Sequence, residues 1–175
     1  KGYFYKLLHD EMEFAKGVVG RGEINSLLRV SYVSGINCPR EWCLKAADFI
    51  SSSHGNINVH YMAPPTEGLV SDLLHVGLMK MGTRPQAALA LVDTWRELIG
   101  QMGGTSGGGR IVHYSHSMGG IVTNFAKNLM EKEEISMIEV RTMASPDLIR
   151  GGHFAKTTNY VSVRDAVPMV DVFGY

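Results

Sequence analysis

Residues 111–120, with the sequence IVHYSHSMGG, predict a strand, a tight turn and a helix in direct succession. Residues 111–114 have strand character, and an amphipathic helical pattern begins straight after the two glycines. The turn fits the pattern G-x-S-x-G, with Ser115 in the place of the first glycine. The residues two before and two after the central serine must be small, because larger side chains would collide with the strand and the helix. Ser115 and Gly119 meet that condition around Ser117.

In this setting the pattern indicates a nucleophilic serine. The strained turn would present the Ser117 hydroxyl at the carboxyl edge of a sheet. The Met118 N–H would lie at the start of the helix, where N–H groups are unpaired and the helix dipole is positive. An acyl oxyanion would be stabilised at that position. The alternative is an ordinary strand, turn and helix without chemistry.

The composition predicts a single globular domain. The chain has 175 residues, of which 45% are hydrophobic and 19% are charged. Lys and Arg together number 17, as do Asp and Glu, so no net positive field favours nucleic acid as a partner. No stretch of 18 apolar residues indicates a transmembrane helix, and no signal peptide is visible.

The sequence predicts neither a metal site nor a cofactor. Cys38 and Cys43 match no zinc spacing and cannot build a disulfide framework. The glycine-rich stretch 103–109 stands between a predicted helix and a strand, the reverse of a phosphate-binding loop, and no Lys follows it. A nucleotide-binding Rossmann fold is disfavoured because no G-x-G-x-x-G follows the first strand.

Hydrophobic periodicity predicts that strands alternate with helices along most of the chain. Strands are predicted at 28–33, 57–62, 111–114, 138–143 and 160–163, and helices at 39–53, from 69 onward, at 85–99 and at 121–134. We expect residues 1–29 to form a helical arm and residues 30–175 to form the domain.

This alternation predicts an α/β fold, a three-layer α/β/α sandwich with a mostly parallel sheet. Ligands of such sheets bind beyond the carboxyl ends of the strands. Four features fall at predicted carboxyl ends: residues 35–38, Ser117, residues 144–147 and Asp165. Their convergence on one edge favours an enzyme.

Three stretches resemble the α/β-hydrolase fold, on its lipase side, across residues 30–171. SHSMGG at 115–120 resembles the lipase nucleophile elbow. MASP at 143–146 and VRDAVP at 163–168 resemble the G-S-P and Asp-x-Val-Pro segments of class-3 lipases. The combination of Gly-Ile-Asn, His-Ser-x-Gly and Arg-Asp-x-Val-Pro also resembles a group of chlamydial proteins.

The resemblance implies roles for several residues. Ser117 would be the nucleophile and Asp165 the acid of a catalytic triad. The segment Ser-Gly-Ile-Asn at 34–37 resembles the oxyanion loop, so Ile36 or Asn37 would donate an N–H beside that of Met118. The resemblance implies hydrolysis of a small-molecule ester or lipid through an acyl-enzyme.

The histidine of the triad departs from the family pattern, because no histidine follows Asp165 in this sequence. In one alternative the sequence stops short of the last strand and its histidine, which suits a chain that begins at Lys1 rather than Met. Alternatively, the fold has lost its base and serves binding or assembly without catalysis. In the third alternative another histidine acts as the base.

Two histidines are candidates for that substitute base. His116 adjoins Ser117, although family elbows often carry a histidine there that is not the base. His153 would give the chain order Ser117, Asp147, His153, but six residues is a short reach for two triad partners. Asp171 is a weaker alternative acid.

The remaining expectations concern the core and the segment over the site. His60 and His113 lie inside predicted strands and are expected in the core or on its flank. Residues 62–84 are apolar and rich in methionine. They would form either a lid over a lipidic substrate or ordinary connecting helices.

Overall fold

A computed structural model describes residues 15–23, 25–35, 38–63 and 86–161 of the chain. The strands are β1 (Ala15–Val19), β2 (Leu28–Val33), β3 (Val59–Ala63), β4 (Arg110–His116), β5 (Ile138–Met143) and β6 (Lys156–Tyr160). The helices are α1 (Arg40–Ser53), α2 (Gln86–Gln101), α3 (Gly119–Lys127) and the short α4 (Lys132–Ile135). No helix among these residues is long and apolar enough to cross a membrane.

The six strands form one sheet in the order β1-β3-β2-β4-β5-β6. Every neighbouring pair is parallel except β1 with β3, which is antiparallel. The register places Tyr32 beside Tyr114, and Tyr114 beside Arg141. The sheet is therefore mostly parallel, as the alternation of strands and helices predicts.

Helices cover both faces of the sheet. Alternate strand residues such as Val30 and Tyr32 pack with Cys43, Ala47 and Ile50 of α1 in one hydrophobic cluster. On the other face the strands pack against α2 and α3, in a cluster of Val33, Ala88, Leu91, Trp95, Ile111, Val122, Ala126, Ile138 and Val140. The three-layer α/β/α arrangement is thus confirmed.

The structure differs from the sequence prediction near the amino end. Residues 15–19, expected in a helical arm over 1–29, form strand β1, and residues 1–14 lie outside the described part. The strand forms because residues distant in sequence supply its hydrogen-bonding partner, β3. A Cβ at Gly17 would lie 2.6 Å from the Tyr61 hydroxyl, so glycine lets the two strands pack closely.

Two further element boundaries were predicted wrongly. The helix expected over 121–134 ends at Lys127, and Glu131 caps a separate short helix through a reciprocal capping box with Glu134. The last described strand occupies Lys156–Tyr160, whereas the predicted strand began only at residue 160, and residues 162 and 163 of that prediction lie outside the described part. Of the segment 62–84, only residues 62 and 63 are described, and they belong to β3.

Candidate active site

Ser117 lies in the turn between β4 and α3, at the carboxyl edge of the sheet. Its backbone φ is 53°, in the left-handed region that non-glycine residues seldom adopt. The Ser117 N–H donates to the Met143 carbonyl of the neighbouring strand at 2.9 Å. This bond ties the turn to the sheet. Backbone strain of this kind concentrates at functional sites, where the surrounding structure must hold it.

Small residues surround this turn for steric reasons. A Cβ at Gly119 would lie 2.6 Å from the Val33 carbonyl oxygen, and one at Gly120 would collide with the Ser145 hydroxyl. Ser115 is completely buried. The prediction that the residue two positions after Ser117 must be small is therefore confirmed for Gly119.

Gly35, which follows β2, also approaches the serine closely. A Cβ at this position would lie 2.6 Å from the Ser117 Cβ and 3.2 Å from its Oγ. The backbone at the end of β2 therefore forms one wall beside the hydroxyl. The next two residues, Ile36 and Asn37, are outside the described part of the chain.

Met118 stands at the amino end of α3. Its own carbonyl accepts the N–H groups of Ile121 and Val122. Within the described ranges, no hydrogen bond is found from the Met118 N–H, as is usual for the first N–H groups of a helix. The Met118 side chain is buried and packs against Ile121.

The loop after β5 braces the start of α3. Ala144 has a φ of 50°, and the Ser145 hydroxyl donates to the Asp147 carbonyl at 2.6 Å. The Asp147 carboxylate accepts a hydrogen bond from the Asn124 amide on α3 at 2.9 Å. Asp147 is thus engaged in holding the loop to the helix.

Within the described part of the chain, the candidate acid Asp147 and the candidate base His153 are not joined. His116, the last residue of β4, is exposed next to Ser117, and His153 is exposed in the loop between β5 and β6. Across the ranges described, no hydrogen bond or ion pair joins Asp147 to His153, so the order Ser117, Asp147, His153 gains no geometric support. Asp165 and Asp171 lie outside these ranges.

His113, predicted in the core or on its flank, is completely buried beneath the turn. Its Nδ1 lies 2.8 Å from the Ser31 hydroxyl, and its Nε2 lies 3.0 Å from the Thr123 hydroxyl. Burial lowers the pKa of His113 to about 3, so the ring is neutral at physiological pH. The Trp95 ring stands edge-on to it, with ring centroids 4.9 Å apart.

A second polar cluster, on the other face of the sheet, was not predicted. The Arg141 guanidinium donates to the Tyr114 hydroxyl at 2.8 Å, and that hydroxyl lies 2.8 Å from His54 Nε2. Burial, followed by the charge of Arg141, lowers the pKa of His54. The members come from separate segments of the chain, so no local sequence pattern could reveal them.

Glu139 anchors the same cluster through two hydrogen bonds from Arg141, at 2.8 and 3.0 Å. Burial alone would raise the pKa of Glu139, but the hydrogen bonds and charge of Arg141, with help from Lys156 and Arg110, outweigh it and lower that pKa.

Among the described residues, no group of three or more His, Cys, Asp or Glu is placed to hold a metal ion.

No protein-family model matches the chain, and no curated protein sequence matches it. Among solved structures, it is similar to a Trichoderma reesei cutinase in complex with a phosphonate inhibitor. The identity is 15% and the TM-score 0.55, with 85% of this chain and 68% of the cutinase covered.

Two more solved structures are similar at lower TM-scores. A Bacillus licheniformis lipase shares 16% identity at a TM-score of 0.43, with 77% of this chain and 47% of that one covered. A carboxylesterase structure from the ammonia-oxidising thaumarchaeon Nitrososphaera gargenis shares 11% identity at a TM-score of 0.43, with 80% of this chain and 45% of that one covered. The chain spans less than half the length of these two proteins. Sheet order, layers and the cutinase match together show that the chain has the α/β-hydrolase fold.

Proposed function

We propose that this chain is a serine hydrolase that cleaves carboxylic esters, including lipid esters, through an acyl-enzyme on Ser117. The observation that carries the proposal is the left-handed backbone of Ser117, held in a tight turn between β4 and α3. This is the geometry of the strained strand-to-helix turn that exposes a nucleophile in α/β-hydrolases.

The oxyanion of the reaction would be held by backbone N–H groups. The Met118 N–H at the start of α3 is one donor, and we assign the second to Ile36 or Asn37, which follow Gly35. Gly35 supports this assignment because its backbone already contacts the Ser117 side chain. Removal of one such donor typically costs about 3 kcal/mol of transition-state stabilisation.

The proposed reaction proceeds in two steps. A histidine takes the Ser117 proton as Oγ attacks the ester carbonyl, and it returns the proton to the leaving alcohol. Water then attacks the acyl-enzyme with the same histidine as base. We propose Asp165 as the acid that orients this histidine, because Asp147 is already bonded to Asn124. His116 and His153 are the two proposed bases within this sequence.

A fluorophosphonate probe tests the nucleophile directly, since it reacts covalently with activated serines. We expect the intact mass of the chain to rise by one adduct and Ser117→Ala to abolish the reaction. Ser52→Ala is the matched control, because Ser52 is exposed near the far end of α1. Labelling that persists in Ser117→Ala would contradict the proposal.

The same probe ranks the two bases. His116→Ala and His153→Ala are compared for the rate of adduct formation, and the true base is the one whose loss slows the reaction by about 10³-fold or more. Hydrolysis of p-nitrophenyl acetate, butyrate and octanoate then reports the preferred acyl length. Faster hydrolysis of octanoate than of acetate is the result expected for a lipid substrate.

A second candidate function is binding or assembly by a hydrolase fold without catalysis. The observation that favours it is that, among the described residues, no hydrogen bond joins the Ser117 hydroxyl to a histidine. Under this alternative, neither the probe nor the esters react with the chain, although it folds. The labelling experiment therefore separates the two functions.

A further inference from the structure

A chain of buried hydrogen bonds runs beneath the candidate active site, through four side chains that are at most 1% exposed. The Trp95 indole N–H donates to the Ser31 hydroxyl at 3.2 Å, and Ser31 lies 2.8 Å from His113 Nδ1. On the other side of the ring, His113 Nε2 lies 3.0 Å from the Thr123 hydroxyl. Thr123 donates to the Gly119 carbonyl at 2.8 Å.

The two ends of this chain fix the position of every proton in it. The Thr123 hydroxyl gives its only proton to Gly119, so it must accept from His113, and Nε2 carries the ring hydrogen. His113 Nδ1 then accepts from the Ser31 hydroxyl. Ser31 in turn accepts from Trp95, whose indole can only donate. All members are satisfied by one arrangement, with a neutral histidine at the centre.

The bond between His113 and Thr123 joins the two elements on either side of the turn. His113 lies on β4, four residues before Ser117, and Thr123 lies on α3, six residues after it. The bond therefore sets the angle between strand and helix independently of the turn itself. Both the Ser117 hydroxyl and the Met118 N–H depend on that angle.

Packing alone does not require a histidine here. Several neighbours of His113 on the same face are apolar and fully buried, namely Ile111, Val33 and Val140. Buried polar pairs often add little stability over apolar residues of similar shape, whereas they can fix one arrangement of the elements they join.

We propose that His113 and Thr123 are positioning residues for the reaction of Ser117, which they hold in register with the Met118 N–H across the turn. This inference rests on the proposed function. It predicts that loss of the bond lowers the chemical rate more than it lowers substrate binding or stability. A purely structural bond would affect stability alone.

Thr123→Val removes the hydroxyl at nearly constant shape, and Thr123→Ser restores it. We expect Thr123→Val to lower kcat for p-nitrophenyl butyrate by about 10- to 100-fold with KM changed less than about threefold, the effect of a slightly misplaced reacting group. Thr123→Ser should recover most of the rate. Ser31→Ala is the matched control, because it removes the other hydrogen bond of His113 and leaves the bond across the turn.

The double variant His113→Leu, Thr123→Val covers the case in which Thr123→Val does not fold. It replaces both partners by apolar side chains, so urea unfolding should show stability close to that of the original chain. We expect the kcat of this double variant to remain at least tenfold below that of the original chain. A double variant that folds and keeps the full rate would overturn the inference.

The outcomes separate this inference from the proposed function. If the original chain reacts with the fluorophosphonate probe and both Thr123→Val and Ser31→Ala react as fast as the original chain, the positioning role alone is overturned. If the folded original chain neither takes up the probe nor hydrolyses the ester, the proposed function falls and the positioning role falls with it.

Discussion

Gly35 and Ser117 are in direct contact across the carboxyl edge of the sheet, where a Cβ at residue 35 would lie only 2.6 Å from the Ser117 Cβ. The two residues belong to different strand ends, after β2 and after β4, which are neighbours in the sheet. The contact therefore couples the position of the serine to the chain that leads into residues 36 and 37.

We predict that Gly35→Ala displaces the Ser117 side chain. The reaction with the fluorophosphonate probe should slow by about 10²-fold, and the free energy of unfolding should fall by about 1–3 kcal/mol from overpacking. Gly100→Ala is the control, since nothing lies within 4 Å of a Cβ there and α2 continues through it. That change should keep the reaction rate, and a Gly35→Ala variant with the original rate would refute the prediction.

The left-handed backbone of Ser117 predicts a conflict between stability and activity. Ser117→Gly should be more stable than Ser117→Ala by about 1 kcal/mol, because glycine adopts a positive φ without a Cβ penalty. Ala144, with a φ of 50°, has the same strain. Ala144→Gly should gain similar stability while it keeps the probe reaction that both Ser117 variants lose. Urea unfolding of the variants measures the gain, and equal stabilities of Ser117→Gly and Ser117→Ala would show no strain at the serine.

The two candidate acids are predicted to behave differently. Asp165→Asn should lower ester hydrolysis by about 10⁴-fold if this carboxylate orients the base. Asp147→Asn should change it by less than about threefold and cost about 1 kcal/mol of stability, because the carboxylate that binds Asn124 is lost. Rates and urea midpoints of both variants decide between them. The reverse order of effects would transfer the acid role to Asp147.

The stability of the fold should depend on pH through His113. Burial lowers the pKa of this ring to about 3, whereas an unfolded histidine takes up a proton below about 6.5. The unfolded state then binds more protons between these values. The full contribution to stability is present above about pH 6.5, and the free energy of unfolding falls with pH by up to about 1.4 kcal/mol per pH unit below it.

Urea unfolding at pH 7.5, 6.5 and 5.5 measures this slope. Carboxylates such as Glu139, whose pKa is lowered, lose their contribution only at still lower pH. The double variant His113→Leu, Thr123→Val should flatten the slope. His54→Gln reports the part that His54 adds with the same sign, because its pKa is also lowered. An unchanged slope in the double variant would contradict the assignment to His113.

Local sequence patterns predicted the elements whose apolar residues face the core. Hydrophobic periodicity and the positions of small residues alone predicted three such elements: the strand at Leu28–Val33, the helix beginning after Pro39 and the strand–turn–helix at residues 111–120. The position of Ser117 in the turn followed from the same pattern.

Strand β1 was missed because its stability depends on β3, whose paired residues are 40 to 48 positions away in sequence, and not on its own pattern. Strand β6 was placed too late because its residues are polar, while apolar residues follow it. Asn159, inside β6, is half-buried. Its side-chain amide is hydrogen-bonded to the Thr142 hydroxyl and to the backbone of Ile149. The residues that contact His113 come from three other elements, so its hydrogen bonds could not be predicted from the local sequence.

The sheet order has a consequence for synthesis on the ribosome. Ser31 and His113 are 82 residues apart, so at about 5–20 residues per second the ribosome needs about 4 to 16 s to supply the partner of Ser31. Once β3 has been synthesised within that interval, the central strand β2 has β3 on one side and no β4 on the other. We expect the nascent chain to expose one apolar strand edge until β4 emerges, which makes it a client for chaperones that bind early at the exit tunnel.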